Sequence, residues 1–441
     1  MTAFTVSDCI SNRRGLGFLA LLIILAVSQS HEAQAMGCGT ESDIGQGNVT
    51  PMVVDGFPCK AGGTAGANNA PQTPYISIKI CSPDNPSNCQ IIDHIEVDTG
   101  SSGLRIAYEA LSPALRSGKR QLPLVSSGGG TLTECETYVS SFAYGPIVRA
   151  DIFIAGEKAA NTKIQIFGHP RYPVPRNCRQ QGGLDLHSAQ IFGANGLIGV
   201  SFEELDDFTL YYNCQSNTSQ CVQNSKFPGI PNTVRQFAKN NNGVVLSLPA
   251  LATPDSLDPV AGTLTFGVST QANNTPGTKT LTLINDGTAS DRSGTFDAKV
   301  GSVWYMGYID SGTDTVYFFD DLDPALTACP ANGQYAGFYC PAKPQNLVFN
   351  LADTGTKKTK GTFNYTVANA SIALASSPFA YTNIGGISSS SSNLDNAMAF
   401  GLSVFFGKNM YFLFNNQKAS SFGPSTSPTT GPMIGLSLIH I

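Results

Sequence analysis

One five-residue pattern occurs twice in this chain and constrains its fold more than any other feature. An apolar residue followed by Asp, Ser or Thr, Gly, and Ser or Thr stands at Val97–Ser101 and again at Ile309–Thr313. The copies lie 212 residues apart, and each ends an apolar segment typical of a strand. At average composition, chance produces Asp-Ser/Thr-Gly-Ser/Thr in only about one chain of this size in thirty. The repeat therefore predicts a duplicated β lobe, with Asp98 from one half and Asp310 from the other.

A third copy, Asp353-Thr354-Gly355-Thr356, also follows an apolar segment, Leu347–Leu351. Lysines occupy three of the next four positions, whereas the first two copies run on into apolar residues. An active loop needs apolar flanks to anchor it in a core, and lysine is almost never fully buried. We therefore predict that Asp353 lies in an exposed turn. The alternative, in which Asp353 replaces Asp310 as the second functional carboxylate, stays open at this point.

Composition favours a turn-rich all-β protein. Charged residues are 13% of the 441 residues, about half of the ~25% typical of soluble domains, while Gly and Pro number 45 and 26. This balance argues against coiled coils and long amphipathic helices. The 41% apolar content supports a large core and excludes wholesale disorder. A net charge of −5 offers no basic surface for nucleic acid.

The first 35 residues have the pattern of an export signal. Arg13 and Arg14 precede the apolar run Gly15–Val27, and Ala33-Gln34-Ala35 offers a small-residue cleavage site. Thirteen apolar residues are too few to span ~30 Å of hydrocarbon, so an uncleaved anchor is the weaker alternative. We predict a signal peptide over 1–35 and a secreted or periplasmic protein. Lipid anchoring at Cys38 is less favoured, because the residues before it are a poor acceptor context.

The cysteine count agrees with an oxidising compartment. Of eleven cysteines, Cys9 would leave with the signal, so an even number remains. Three pairs are close in sequence: Cys81 with Cys89, Cys214 with Cys221, and Cys329 with Cys340. The other four, Cys38, Cys59, Cys135 and Cys178, would pair among themselves in an order that the sequence does not fix. No C-x-x-C occurs, which excludes zinc ribbons and thioredoxin chemistry.

Strand patterns dominate the remainder of the chain. The predicted strands are Tyr75–Cys81, Ile91–Val97, Ile152–Ile154, Lys163–Phe167, Val244–Leu248, Leu264–Val268, Val303–Ile309 and Met410–Phe414. Only two short helices are predicted, Tyr108–Leu115 and Asn232–Lys239. We divide the chain into the signal (1–35), an N-terminal extension (36–73), a first β lobe (74–243) and a second β lobe (244–441). The last residues, from Leu436 to Ile441, are expected to lie outside the fold.

Two Asp-Ser/Thr-Gly loops point to one kind of chemistry. Carboxylates held ~3 Å apart cannot both ionise, so they share a proton and their pKa values split. The ionised member can take a proton from a water while the protonated member donates to a substrate carbonyl. Gly100 and Gly312 would allow tight turns. The four neighbouring hydroxyls would link the loops (Thr99 and Ser311) and hydrogen-bond the carboxylates (Ser101 and Thr313).

These residues resemble the pepsin-like aspartic peptidases. Tyr75–Ile106 is similar to their first strands and active loop, Tyr138–Gly156 to their flap hairpin, and Asn195–Val200 to the segment behind the loop. The resemblance extends from Pro74 to Phe414, with Val244–Phe266 similar to the lobe junction and Phe400–Tyr411 to the matching segment of the second lobe. It implies a bilobal double β-barrel with few short helices, Asp98 and Asp310 as catalytic residues, and neither metal nor cofactor.

The chain departs from that family at the flap. Arg105 stands where the peptidases carry a Trp that hydrogen-bonds a flap Tyr, and it could donate to a Tyr hydroxyl or hold the loop by a bidentate ion pair. The flap Tyr is either Tyr138, by gap-free counting, or Tyr144, by its following Gly. More narrowly, Asp-Thr-Gly-Ser-x-Gly-Leu-Arg after Cys-x-Ile-x-Asp-His is similar to an uncharacterised family of secreted bacterial proteins.

Two functions are consistent with these patterns. The first is a secreted aspartic endopeptidase, which acts as a monomer on a peptide or protein substrate between its lobes. The alternative is a catalytically inactive pepsin-fold module that binds or inhibits at the cell envelope, because a fold does not fix a function. Other enzyme classes lack support, since the chain has no G-x-S-x-G, H-E-x-x-H, P-loop or G-x-G-x-x-G.

Overall fold

We describe a computed structural model of the chain. It describes residues 43–56, 70–206, 209–216, 220–284, 294–319, 322, 325–388 and 397–438. The predicted signal peptide over 1–35, Cys38, Cys59 and much of the predicted N-terminal extension lie outside these residues. Among the described residues, no helix has the length and apolar character needed to cross a membrane.

The described chain is nearly all β. The strands as far as residue 231 are β1 (Val49–Val54), β2 (Tyr75–Cys81), β3 (Cys89–Asp98), β4 (Ser102–Ala107), β5 (Ser126–Ser127), β6 (Gly130–Thr137), β7 (Ser141–Ile154), β8 (Glu157–Phe167), β9 (Leu184–Asp185), β10 (Gly196–Val200), β11 (Leu205–Asp206), β12 (Leu210–Cys214), β13 (Cys221–Gln223) and β14 (Ile230–Pro231). The later strands are β15 (Gly243–Leu248), β16 (Asp255–Ser256), β17 (Val260–Phe266), β18 (Leu281–Ile284), β19 (Thr295–Val300), β20 (Val303–Ile309), β21 (Val316–Phe318), β22 (Gln345–Ala352), β23 (Thr359–Val367), β24 (Ala380–Tyr381), β25 (Gly385–Ile387), β26 (Ala397–Phe400), β27 (Lys408–Leu413), β28 (Lys418–Ala419), β29 (Thr429–Thr430) and β30 (Met433–Leu438).

Helices are few and short, but the two predicted ones are wrong in extent. The helices are α1 (Pro113–Arg116), α2 (Arg176–Arg179), α3 (Ala189–Phe192) and α4 (Ala370–Ala373), with 3₁₀ turns at Tyr108–Ala110, Gly118–Arg120, Val234–Gln236, Ala272–Asn274 and Leu402–Val404. The segment 108–115 splits because Pro113 has no N–H and starts a new helix. In the segment 232–239, the Asn232 side chain accepts the Val234 N–H, and only one 3₁₀ turn forms.

Most strands belong to two sheets. The larger has 17 strands and includes β1–β10, together with β27 and β30 from the end of the chain. The smaller has seven strands in the order β23-β22-β19-β20-β26-β21-β25. A large buried apolar cluster joins strands of both sheets, for example Ile78, Val97, Phe318 and Phe400. This shared core fixes the strand ends that carry the two motifs.

Four disulfides within the described residues agree with the cysteine pattern. Cys81 bonds Cys89, Cys214 bonds Cys221, and Cys329 bonds Cys340, so the three predicted close pairs are confirmed. Cys135 bonds Cys178, an arrangement that the sequence left open. Four disulfides indicate an oxidising environment, extracellular or periplasmic.

The end of the chain differs from the expectation. Met433–Leu438 forms β30, in which Leu436 pairs with Met410 of β27 and with Leu281 of β18. Leu436–Leu438 is therefore part of the large sheet, because its backbone completes a ladder between two other strands. Residues 439–441 lie outside the described residues.

Candidate active site

The two motifs end equivalent strands. Asp98 is the last residue of β3, and Asp310 directly follows β20. β10 runs parallel to β3 and places Gly199 beside Asp98, while β26 runs parallel to β20 and places Phe400 beside Ile309. The sequence predicted these positions as strand ends. The structure adds that the strand before each loop pairs with a parallel strand, β10 for the first loop and β26 for the second.

Gly100 and Gly312 allow the two loops to approach closely. A Cβ atom on Gly100 would lie 2.7 Å from Oδ1 of Asp310, and one on Gly312 would lie 2.8 Å from Oδ1 of Asp98. These separations are shorter than real Cβ contacts, so any other residue would displace the carboxylates. Each glycine thus lies against the carboxylate of the opposite loop, which places both carboxylates in one site.

Thr99 and Ser311 join the loops through reciprocal hydrogen bonds. The Thr99 N–H donates to Ser311 Oγ at 3.0 Å, and the Ser311 N–H donates to Thr99 Oγ1 at 2.9 Å. Each hydroxyl then donates to a carbonyl of the opposite half, Thr99 to Ile309 at 3.3 Å and Ser311 to Val97 at 2.6 Å. These bonds are buried, and buried neutral bonds contribute about 1 kcal/mol each to stability. Together they fix the separation of the two motifs.

Each carboxylate accepts the same two hydrogen bonds from its own loop, one from the N–H two residues on and one from the hydroxyl three residues on. The donors are Gly100 N–H (2.7 Å) and Ser101 Oγ (2.5 Å) for Asp98, and Gly312 N–H (2.9 Å) and Thr313 Oγ1 (2.7 Å) for Asp310. The four donors occupy matching positions in the two loops. Both carboxylates are therefore held in equivalent orientations.

The two carboxylates are electrostatically coupled. Burial, the charge of Asp98 and a hydrogen bond with Asp98 together raise the pKa of the Asp310 carboxyl to about 8, against the lowering effect of the Thr313 and Gly312 hydrogen bonds. Such a pair retains one proton over a wide pH range. One member is then an acid and the other a base, which is the pairing that general acid–base chemistry requires.

Arg105 lies next to the first loop and is fully buried. Its guanidinium contacts three carboxylates, those of Glu134 (3.3 Å), Glu136 (2.9 Å) and Asp206, and it donates to the carbonyl of Ser102 at 2.8 Å. The three carboxylate oxygens lie within 4.8 Å of one another, a spacing that a cation can bridge. Arg105 is that cation here, so of its two predicted roles the structure favours the ion pair that holds the loop.

This acidic cluster carries more negative than positive charge. Burial raises the pKa of Glu134 to about 7 against the opposing effect of Arg105, and it raises the pKa of Glu136 as well. A proton on these carboxyls offsets the excess charge, since isolated buried charges are costly. Glu134 and Glu136 lie on β6, so the cluster attaches the β6–β7 hairpin to the strand that leaves the first active loop.

The two candidate flap tyrosines lie in different places. Tyr138 lies in the turn after β6, with its hydroxyl buried, and the charges of Arg105, Glu136 and Asp98 all act on that hydroxyl. The prediction of Tyr144 as a cleft residue is wrong. Its hydroxyl donates to Thr133 Oγ1 at 3.0 Å, inside a cluster that also contains the Cys135–Cys178 disulfide. Gly145, after Tyr144, packs against the Ile166 backbone. The Tyr-Gly dipeptide therefore reflects strand packing and does not mark the tip of a flap.

Two acidic residues beside the dyad were missed from the sequence. Glu96 precedes Asp98 by two positions, and Asp98 and Asp310 both raise its pKa after the larger effect of burial. Asp314 follows Asp310 by four positions, and the Tyr381 hydroxyl donates to it at 3.0 Å. A carboxylate within an apolar strand was the available signal for Glu96. No comparable signal marked Asp314, because its partner Tyr381 is 67 residues away.

Asp353 lies in the turn between β22 and β23. Its carbonyl accepts the N–H of Thr356, its carboxylate pairs with Lys360 at 2.8 Å, and Gly355 is exposed. The structure therefore places Asp353 as the lysine-rich flank predicted, in a surface turn. The second carboxylate at the site is that of Asp310.

A solved structure resembles this architecture. The crystal structure of an aspartic proteinase from Irpex lacteus matches with a TM-score of 0.52 at 14% sequence identity, covering 88% of this chain and 96% of that chain. A likeness at this identity establishes the fold alone. The chain thus has a pepsin-like, nearly all-β fold, as predicted. No curated protein matches this sequence.

A family model also matches residues 45–434, which is most of the chain. That model covers both Asp-Ser/Thr-Gly loops, the Arg105 cluster and the strands that support them. Its description is that of a protein of unknown function, and it assigns no activity to these residues. The chain belongs to this family, DUF3443.

Proposed function

We propose that this protein is a secreted aspartic endopeptidase that hydrolyses peptide bonds with Asp98 and Asp310. The observation that carries the proposal is the symmetric placement of the two carboxylates, each against the glycine of the other loop. Equivalent donors hold the two groups, and burial together with Asp98 keeps a proton on Asp310. The site has what peptide hydrolysis needs, a base and an acid within one hydrogen-bonded unit.

In the proposed mechanism a water binds between the carboxylates. The ionised member removes a proton from this water, and the protonated member donates its proton to the carbonyl oxygen of the scissile bond. The resulting tetrahedral intermediate collapses when a proton returns to the leaving nitrogen. General acid–base catalysis of this kind contributes roughly 10²–10⁴-fold to the rate. The reaction needs no metal and no cofactor, and the substrate is a peptide or protein segment.

The test is hydrolysis of an unfolded protein by the purified mature chain between pH 3 and 7. We expect cleavage that is lost in Asp98→Asn and Asp310→Asn and blocked by a statine-type inhibitor. Activity should persist to pH 7 and fall only as the pH rises through about 8, because the protonated member of the pair is then lost and the pKa of Asp310 is raised to about 8. Circular dichroism of each variant controls for folding.

The contrary result is also specific. Folded, disulfide-bonded protein that hydrolyses no substrate at any pH would refute the endopeptidase. The inactive binding module would then replace it. Hydrolysis that persists in both Asp→Asn variants would instead place the chemistry elsewhere in the chain.

A further inference from the structure

Glu96 lies on the face of the large sheet that carries Asp98. Alternate residues of a strand point to the same face, and Glu96 stands two positions before Asp98 on β3. The strand register places Tyr75 of β2 and Leu197 of β10 on either side of Glu96, and Arg105 of β4 beside Leu197. These four residues form one row across the sheet, with Glu96 two strands from Arg105.

The β6–β7 hairpin contacts the Arg105 end of this row. Glu134 of β6 contacts Arg105, and the Gln165 side chain, next to Arg105 in the register, donates to the Glu134 carbonyl at 2.9 Å. Tyr138, in the turn of the same hairpin, is influenced by the charges of Arg105, Asp98 and Glu96. The Tyr138 hydroxyl is buried and has no hydrogen-bond partner among the described residues. The charges of Glu96 and Asp98 thus act on an unpaired phenol in the turn of the hairpin.

Glu96 has no counter-cation within the part of the chain that the structure describes. Arg105 contacts three other carboxylates, and His94, the nearest histidine on the strand, pairs with Asp55 at 3.0 Å and with Asp93 at 3.5 Å. No described residue hydrogen-bonds the Glu96 carboxylate, whereas Asp98, Asp310 and Asp314 each accept a hydroxyl. Glu96 is also only partly buried, so a ligand can reach it.

We propose that Glu96 binds the cationic side chain of a lysine or arginine in the peptide substrate, close to the bond that is cleaved. The inference rests on the proposed endopeptidase and adds its substrate class, peptides with a basic residue next to the scissile bond. A cation there would pair with a carboxylate that the protein itself leaves unpaired. The apolar Leu197 and the ring of Tyr75 would pack against the methylene stem of that side chain.

Binding of such a side chain should depend on pH. Burial and then the charges of Asp98 and Asp310 raise the pKa of Glu96. The other titratable groups that face it are Tyr75 on β2 and Tyr138 in the hairpin turn. β10 presents only the neutral Leu197. An added cation favours the ionised carboxylate, so binding releases a proton and selectivity for basic peptides should increase with pH.

The experiment compares matched fluorogenic peptides that carry one lysine, glutamine or norleucine at each position in turn. Norleucine keeps the apolar stem of lysine and lacks its charge. A hydrogen-bonded charge pair corresponds to roughly a 10- to 100-fold preference in kcat/KM for lysine over norleucine at one position. We expect this preference in the wild type and its loss in Glu96→Gln. The wild-type comparison is independent of whether the variant folds.

Asp84→Asn is the matched control. It removes the same charge from the exposed turn between β2 and β3, ~30 Å along β3 from the dyad, and should leave the preference unchanged. Equal rates for lysine and norleucine at every position would overturn the inference. So would a Glu96→Gln variant that slows all peptides by the same factor, because Glu96 would then act on the dyad alone.

Failure of the endopeptidase is separable from failure of this inference. If the wild type hydrolyses none of these peptides, the same labelled peptides are titrated with it by fluorescence anisotropy. Lysine peptides that bind at least 10-fold more tightly than norleucine peptides, with the difference lost in Glu96→Gln, would support the cation site without catalysis. Absence of binding, or binding without that difference, would overturn it.

Discussion

The first and second active loops have the same backbone frame but different surroundings. Both hold an Asp by a glycine N–H and a hydroxyl. Seven residues after the Asp, the first half has Arg105, which is paired with three acidic side chains. The same offset in the second half gives Tyr317, which hydrogen-bonds Asp314. Two residues before the Asp, Glu96 corresponds to Tyr308.

This difference shows which features both halves share, namely the loop backbone and its hydrogen bonds, and which differ, namely the side chains that support each loop. The glycines and bridging hydroxyls are equivalent because two carboxylates can come together in only a narrow range of geometries. The supporting side chains need only hold each loop in place. One half does this with buried charges and the other with neutral phenols, so the two halves should respond differently to mutation and to pH.

The largest expected difference is in stability. Arg105→Met leaves three buried carboxylates without their cation, and removal of one partner of a buried ion pair costs about 3–5 kcal/mol. Tyr317→Phe removes one neutral-donor hydrogen bond to Asp314, which retains Tyr381, and should cost about 1 kcal/mol. Urea unfolding at pH 7 measures both. Equal losses would contradict the contrast between a charged and a neutral support.

The dyad itself should respond symmetrically. Gly100→Ala and Gly312→Ala each add a Cβ 2.7–2.8 Å from a carboxylate oxygen of the opposite loop. The carboxylates must then move apart, and a displacement of ~1 Å costs about 100-fold in rate. We expect similar losses of kcat in peptide hydrolysis for the two variants. Gly277→Ala, at an exposed glycine outside the left-handed region whose Cβ would meet no atom within 4 Å, controls for adding a methyl group at a loop.

The charged support should also make stability depend on pH. The pKa of Glu134 is raised to about 7, so the native state binds more protons than the unfolded state between pH 4.5 and 7. Its stabilising effect is complete below pH 4.5 and is lost as the pH rises through 7, with a slope of up to about 1.4 kcal/mol per pH unit for one proton.

Glu134→Gln tests this dependence, because glutamine resembles the protonated acid. Its free energy of unfolding should be close to that of the wild type at pH 4 and should fall less steeply between pH 4.5 and 7. Tyr317→Phe should leave the slope unchanged. Parallel curves for wild type and Glu134→Gln would show that this carboxyl does not titrate in the range.

The sequence predicted the symmetric part of the site better than the asymmetric part. Asp98, Asp310 and their six supporting residues lie within two runs of a few consecutive residues. Each loop can therefore be recognised from its turn residues at the end of an apolar strand. The side chains that support the two loops have partners far away in the sequence. Asp206 is 101 residues from Arg105, and Tyr381 is 67 residues from Asp314, so only the folded chain brings them together.

The fold followed the same rule. Alternating apolar residues predicted the strands, because that period is set by each strand itself. The predicted helices were too long. Pro113 starts a separate helix, and the Asn232 side chain accepts the Val234 N–H, so neither apolar segment forms one continuous helix. Tyr144 was placed at the flap by its Gly, although that Gly is required by contact with the Ile166 backbone.

The smallest expected effect concerns the third motif. Asp353→Asn removes a half-buried ion pair with Lys360 in a surface turn, and pairs near the surface contribute only about 0–1 kcal/mol. Hydrolysis should be unchanged in this variant and absent in Asp310→Asn, although both remove one carboxylate from an Asp-Ser/Thr-Gly triplet. Comparison of the two variants shows whether activity depends on where the Asp lies in the fold or only on the triplet sequence around it. The opposite result, with activity retained in Asp310→Asn and lost in Asp353→Asn, would contradict this assignment. It would show that the lysines after Asp353 do not keep its loop in solvent during catalysis. Asp353 would then replace Asp310 as the second catalytic carboxylate.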